Sequence, residues 1–174
     1  MSTEELKHIV ALLAQENRET ARYLKELGKQ IGGLGNKWGV YTEGLAYPSM
    51  TKLLKNQFGM DTVCRNALSR KKKETLEIDV LGYANGTVNR VCVVEVKSIV
   101  DESALEQLEN TLKQFSHFFP EHKGKELVAF LAGVSVSNDV AKKIIERGYY
   151  LASTAHDIFK LQVPKGFKPK KMKV

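Results

Sequence analysis

Nine positions near the start of the chain, Leu6, Val10, Leu13, Asn17, Thr20, Leu24, Leu27, Ile31 and Leu34, follow one another in alternating steps of four and three residues. Seven of the nine are apolar and residues 3–31 contain no proline, so the pattern demands a helix carrying a narrow apolar seam of 3.5-residue period. Such a seam is completed by an equivalent seam on another helix. Asn17 falls at an a position, where a buried amide pairs with its symmetry mate and favours a parallel two-stranded register at some cost in stability. A homodimer through a coiled-coil helix over residues 1–34 is therefore expected. The competing reading is an amphipathic helix packed on its own domain, because Ala11, Leu12, Ala14 and Ala21 widen the apolar face. Gly32, Gly33, Gly35 and Gly39 make residues 32–39 the expected hinge.

From residue 38 the periodicity changes. Val40, Leu45, Met50, Leu53, Leu54 and Phe58 mark a further helix, with a break or kink expected at Pro48 and an end at Gly59. Stretches rich in β-branched residues follow at 61–69, 74–83 and 88–98, and Asn85-Gly86 between the last two is a hairpin turn signal, so the three form an antiparallel meander. A helix over 101–118 starts at a cap, Asp101 or Ser103, and stops before Pro120. The continuous apolar run 127–136 reads as a central strand. A helix over 138–147 is capped by Ser137 or Asn138 and stopped by Gly148. A strand at 149–152 and a helical turn at 155–161 complete the pattern. The fold class is α/β (α+β), with an αβββαβ core and a mixed sheet over residues 35–163, preceded by the long N-terminal helix.

The net charge of +7 is unevenly spread, since Lys165, Lys168, Lys170, Lys171 and Lys173 fall in the acid-free segment 164–174, read as a flexible basic tail. A second basic patch is Arg70-Lys71-Lys72-Lys73. Runs of this kind contact nucleic-acid phosphates, or merely keep a chain soluble. Two cysteines, Cys64 and Cys92, build neither a disulfide framework nor a four-cysteine zinc site. His8, His117, His122 and His156 are scattered and form no metal-ligand spacing such as His-x-x-x-His, and no phosphate-cradling glycine loop is present. No apolar run reaches the roughly 18 residues of a membrane helix, and the start lacks a secretion signal, so a cytoplasmic location away from membranes is expected.

Two places in the expected hairpin break the apolar pattern: Glu77-Ile78-Asp79-Val80 and Val94-Glu95-Val96-Lys97. Strand side chains alternate faces, so Glu77 shares a face with Asp79, and Glu95 with Lys97. An antiparallel partner can set these groups side by side. Burying an uncompensated carboxylate costs several kcal/mol, so converging acids call for a cation, and a hard divalent metal suits oxygen ligands. Gln107 and Gln114, seven residues apart on the second helix, share a face from which they reach the site or only solvent.

Asp79, separated by fifteen residues from Glu95-Val96-Lys97 and preceded by the helical Glu43 of YTEGL, resembles the PD-(D/E)XK nuclease superfamily, the restriction-endonuclease-like group. The likeness spans about residues 36–152, and LGNKWGVYTEGL after the first helix looks like a branch headed by a coiled coil. Glu77-Ile78-Asp79 stands where the motif has Pro-Asp. The resemblance implies that Asp79 and Glu95, with the backbone carbonyl of Val96, hold Mg²⁺ or Mn²⁺, and that Glu43 completes the site. It implies that Lys97 orients or deprotonates the attacking water. The expected activity is that of a homodimeric endonuclease hydrolysing phosphodiester bonds, in DNA before RNA. Arg70, Lys71, Lys72, Lys73, Lys168, Lys170 and Lys171 would contact the nucleic acid. Glu77 is either a further ligand or a surface partner of Arg70–Lys73. The second expectation is a catalytically silent nuclease-fold module that binds nucleic acid or a protein partner.

Overall fold

The structure, a computed structural model, describes the backbone of residues 3–155 and 158–174, and the side chains among them apart from those of residues 3–14, 17, 21, 36 and 155. The side chains of Leu6, His8, Val10, Leu13 and Asn17, those of Ala11, Leu12, Ala14 and Ala21, and His156 lie outside the described residues. The chain divides into two compact units, Met1–Trp38 and Gly39–Val174.

Helix α1 spans Thr3–Phe58. Residues 32–39, expected as a hinge, are helical, because glycine weakens a helix by about 1 kcal/mol per residue but keeps its N–H. Pro48 sits inside α1 without ending it. In the first unit Leu24, Leu27, Ile31 and Leu34 are 53–67% exposed, an apolar row with solvent against it.

The second unit is built on one sheet. Strands β1 (Thr62–Lys71), β2 (Glu74–Ala84) and β3 (Arg90–Val100) form the expected antiparallel meander. Helix α2 (Glu102–Phe118), with Asp101 accepting the Ala104 N–H as its cap, leads to β4 (Glu126–Val136), which lies parallel to β3. Helix α3 (Asn138–Glu146), capped by Ser137, leads to β5 (Tyr150–Ala155), parallel to β4. The segment expected as a last helical turn is instead strand β6 (Ile158–Leu161), antiparallel to β5. The C-terminal lysines do not form a free tail. A two-residue strand, β7 (Met172–Lys173), pairs with the start of β4, and the Lys170 N–H donates to Gly148 O. The order β1-β2-β3-β4-β5-β6 gives a mixed sheet, as the sequence pattern requires.

Central strands are apolar on both faces because both are covered. On one face Ala46, Met50, Leu53 and Leu54 of α1 meet Val80, Cys92, Val94, Phe130 and Ala152. Those helix positions recur at helical spacing, so a single stripe of α1 is buried; Val40, expected on that stripe, is exposed. On the other face Leu105, Leu108 and Phe115 of α2 and Val140 and Ile144 of α3 meet Ile78, Leu81, Val91, Val93 and Leu131. Lys125 is buried as well. Its Nζ donates to Ala84 O and to the side-chain oxygens of Asn85 and Asn89, fastening the β2–β3 turn.

Candidate functional site

Asp79 stands where regular pairing stops. The β2–β3 ladder runs from Ala84↔Arg90 to Val80↔Val94 and goes no further, and the β1–β2 ladder skips from Arg65↔Val80 to Ala67↔Ile78. Asn66, opposite Asp79, has a φ of 50°. The side-chain sequence shifts phase here as well: Leu76, Ile78 and Leu81 all pack on the α2 side, which strict alternation forbids. Beyond this point the hairpin leaves β3 and crosses α2, where Ser69 Oγ donates to Phe118 O at 2.8 Å. Asp79 closes the gap: its Oδ2 accepts the Val96 N–H at 2.6 Å. A side-chain carboxylate thus takes a donor that a strand carbonyl would otherwise bind.

Glu95, only 2% exposed, lies on the α2 side of β3. Its Oε1 accepts from Lys97 Nζ at 2.8 Å and from Gln107 Nε2 at 2.6 Å. Of the two readings of Gln107, the structure supports the one in which it reaches the site. Gln114 bonds its own helix, donating to Asn110 O. Glu43, on α1, faces Arg65 on β1 at 3.9 Å. Beside it Thr42 and Ser98 share a hydroxyl–hydroxyl hydrogen bond of 2.9 Å that ties α1 to β3. Arg65, Thr42 and Ser98 were not among the expected site residues; short polar side chains flanking a motif carry no signal of where they bond. Glu77 is exposed and accepts from Asn66 Nδ2, rather than from Arg70–Lys73.

Glu43, Asp79, Glu95 and Lys97 therefore share one electrostatic neighbourhood. Burial, then the charge of Glu95 and to a smaller extent that of Glu43, push the Asp79 carboxyl up to about 7, against the lowering effect of the Val96 N–H and Lys97. Burial also raises Glu95 above the usual carboxylate range, with Lys97 opposing it. Both shifts have the same main cause, removal of carboxylates from water.

This geometry corrects the activity expected from the motif. Among the described residues no group of three or more His, Cys, Asp or Glu side chains is placed to hold a metal ion. Glu95 Oε1 is taken up by Lys97 and Gln107, and Asp79 Oδ2 by the Val96 N–H. At Val96 it is the N–H that the site uses. The reading as a Mg²⁺- or Mn²⁺-dependent nuclease, with a metal cofactor and phosphodiester hydrolysis at these residues, is overturned by that arrangement.

The basic residues are found at two places. Arg70 and Lys71 end β1, and Lys72 and Lys73 form the turn into β2; all but the half-buried Lys71 are exposed. Lys168, Lys170 and Lys171 lie just before β7, and Lys170 Nζ is 5.5 Å from the centre of the Tyr149 ring. No helix among the described residues is long and apolar enough to cross a membrane.

No family model matches the chain, and no curated protein matches it. Solved structures similar to it include a complex of EndoMS with double-stranded DNA, at 15% identity over 63% of this chain and 44% of that one, with a TM-score of 0.38. A repair endonuclease from Pyrococcus abyssi is similar at 17% identity over 67% of this chain and 47% of the other, TM-score 0.38. SPO1766 from Silicibacter pomeroyi, a protein of unknown function, is similar at 11% identity over 65% and 62%, TM-score 0.37. The chain spans less than half the length of the two endonucleases, and no activity is carried over from likenesses this distant.

Proposed function

We propose that this chain is a non-catalytic nucleic-acid-binding module, a nuclease-like αβββαβ sheet whose acid cluster braces the fold and whose exposed cations meet phosphates. One observation carries the reading: the acids are matched by internal donors, whereas the four consecutive cations Arg70–Lys73 sit at a strand end and turn with Arg70, Lys72 and Lys73 exposed. A net charge of +7 adds a general attraction for polyanions. Lys168 and Lys171 are exposed and join the contact set, with Lys170 contributing less because Tyr149 shares it. DNA is the first substrate class to test. The exposed apolar row Leu24, Leu27, Ile31 and Leu34 supports the homodimer, which doubles the number of basic patches presented to one duplex.

The test is fluorescence anisotropy with a duplex of about 30 base pairs, in EDTA, across a salt series. Replacing Lys71, Lys72 and Lys73 together by Glu is expected to weaken binding and to flatten the plot of log K against log salt by about 3, at roughly 0.9 for each phosphate no longer neutralised. Supercoiled plasmid incubated with Mg²⁺ is expected to stay intact. Unchanged affinity and slope in the triple variant would remove Arg70–Lys73 from the interface and overturn the binding reading. Metal-dependent cutting abolished by Lys97→Ala would overturn the non-catalytic one.

A further inference from the structure

Strand β6 closes one side of the sheet, and among the described residues no strand lies beyond it. The Gln162 N–H donates to Leu151 O at 2.8 Å. Backbone groups alternate sides along a strand, so those of Ile158 and Lys160 face β5 while those of Phe159 and Leu161 face outward. Opposite this edge lies the Pro48–Gln57 stretch of α1. Between the two is an open groove of about 670 Å³, bordered by Lys52, Asn56 and Gln57 on the helix and by Ile158 and Lys160 on the strand. Leu53 and Phe159, both buried, form its apolar floor. Among the described residues the charged ones lining it are Lys52 and Lys160, both positive.

We propose that this groove takes an extended acidic segment of a partner protein, added to the sheet as a strand alongside β6. Three features select that occupant. The outward N–H and C=O groups of Phe159 and Leu161 are complementary to another peptide backbone, which supplies the affinity in strand addition. The buried Leu53 and Phe159 receive apolar side chains from the face of such a strand turned toward α1, while Ile158, 53% exposed, lies with Lys160 on the opposite face of β6. Lys160 meets carboxylates at the alternate positions of that strand, on the face away from α1, and Lys52 adds a second positive charge at the rim of the groove. A second copy of this chain fits poorly: β6 against β6 sets Lys160 near Lys160, and the opposite sheet edge, β1, carries Arg65, Arg70 and Lys71. Like charges across an edge are a device that prevents such self-pairing. A nucleic-acid strand satisfies the two lysines but offers no counterpart to the strand's alternating donors and acceptors. The proposal uses none of Arg70–Lys73 and stands apart from nucleic-acid binding.

The experiment uses the full chain and four fluorescein-labelled probes. They are an octapeptide alternating valine and glutamate, the same peptide N-methylated at alternate amides, an octapeptide alternating valine and lysine, and a dodecamer of thymidine. Of the three peptides the unmodified acidic one alone is expected to bind, and Lys52→Glu with Lys160→Glu is expected to weaken it at least tenfold while leaving any binding of the thymidine dodecamer unchanged. Both residues are exposed, so the double variant keeps its fold, which an unchanged circular dichroism melt verifies. Absence of binding by the acidic peptide up to millimolar concentration overturns the proposal. So does equal binding of the N-methylated peptide, undiminished binding by the double variant, or a variant effect confined to the thymidine dodecamer. Loss of duplex binding in the Lys71, Lys72 and Lys73 variant with the peptide result intact would leave this groove standing on its own.

Discussion

Replacing Asp79 by Asn is expected to stabilise the protein, and to do so in a pH-dependent way. The Asp79 carboxyl is raised in the fold from an ordinary value of 3.8 to about 7, first by burial and then by Glu95. Its protonated form is therefore the one the fold prefers. The stability linked to that proton is complete below the unfolded value near 3.8 and is lost as pH rises through about 7. At 1.36 kcal/mol per pKa unit the full cost of ionisation is about 4 kcal/mol at most, and about 3 kcal/mol of it develops between pH 5 and pH 8.5. Asn removes the charge, and with it the repulsion from Glu95 and Glu43, while its Oδ1 still accepts the Val96 N–H that Asp79 accepts at 2.6 Å. Urea unfolding of wild type and Asp79→Asn should therefore give curves that diverge with rising pH, the variant leading by up to about 4 kcal/mol at pH 8.5 and by less than 2 at pH 5. Taking the difference between the two proteins cancels groups such as His122 that titrate in both. Parallel pH profiles, or a variant that is weaker at pH 8.5, would refute the claim that this carboxylate is held against its own ionisation.

Lys125→Met should cost about 2–3 kcal/mol in a denaturant melt, because it leaves Ala84 O and the side-chain oxygens of Asn85 and Asn89 without their shared donor. His122 is buried against Phe115 and Tyr83, its Nδ1 has no partner, and burial lowers its pKa from 6.5. The stability linked to neutral His122 is thus present above about pH 6.5 and lost as pH falls through the depressed value, and His122→Phe should remove that acid-side loss in thermal melts between pH 4.5 and pH 7. Leu27→Asp with Ile31→Asp, on the exposed row of α1, should convert a dimer to a monomer by light scattering; a dimer of unchanged mass would exclude this row as the seam.

Much of the fold is legible because its signals are local. Asn85-Gly86 fixes the β2–β3 turn, Asp101 and Ser137 cap α2 and α3, and the apolar run from Leu127 marks β4 without reference to anything distant. The misread elements depend on distant partners. Ile158–Leu161 is too short for its pattern to declare a strand, and it is one because β5 pairs with it. Met172 and Lys173 sit in a basic, Pro- and Gly-broken segment that resembles a free tail, yet β4 offers them a place. Residues 32–39 stay helical because glycine weakens a helix without removing a hydrogen bond. At the site, strand alternation and the hairpin signal bring Asp79 toward Glu95 and Lys97, and only the resemblance of the motif adds Glu43. What each oxygen binds is settled by Gln107, twelve residues along on another element, and by where the β2–β3 ladder ends, neither of which a spacing encodes.

The difference between a metal site and a structural brace built from the same residue types lies in where the compensating charge comes from. Buried Glu95 needs a positive partner, and Lys97 supplies it at 2.8 Å while Gln107 occupies the same oxygen at 2.6 Å. Glu43 has Arg65 across from it at 3.9 Å. That leaves Asp79, and its demand is met in part by a proton, since near neutral pH a carboxyl titrating at about 7 is ionised only about half the time. Two cations and part of a proton balance three carboxyl groups, so the cluster approaches neutrality. Each of these compensations also joins separate elements: Gln107 binds α2 to β3, Arg65 binds β1 to α1, and Asp79 bridges the point where β2 and β3 cease to pair. A cluster that is balanced from within and spans the sheet and both its flanking layers serves to hold the core in register. The charge left over for a partner is then the surplus at Arg70–Lys73 and along the C-terminal lysines, which is why nucleic-acid binding is sought there and not at the acids.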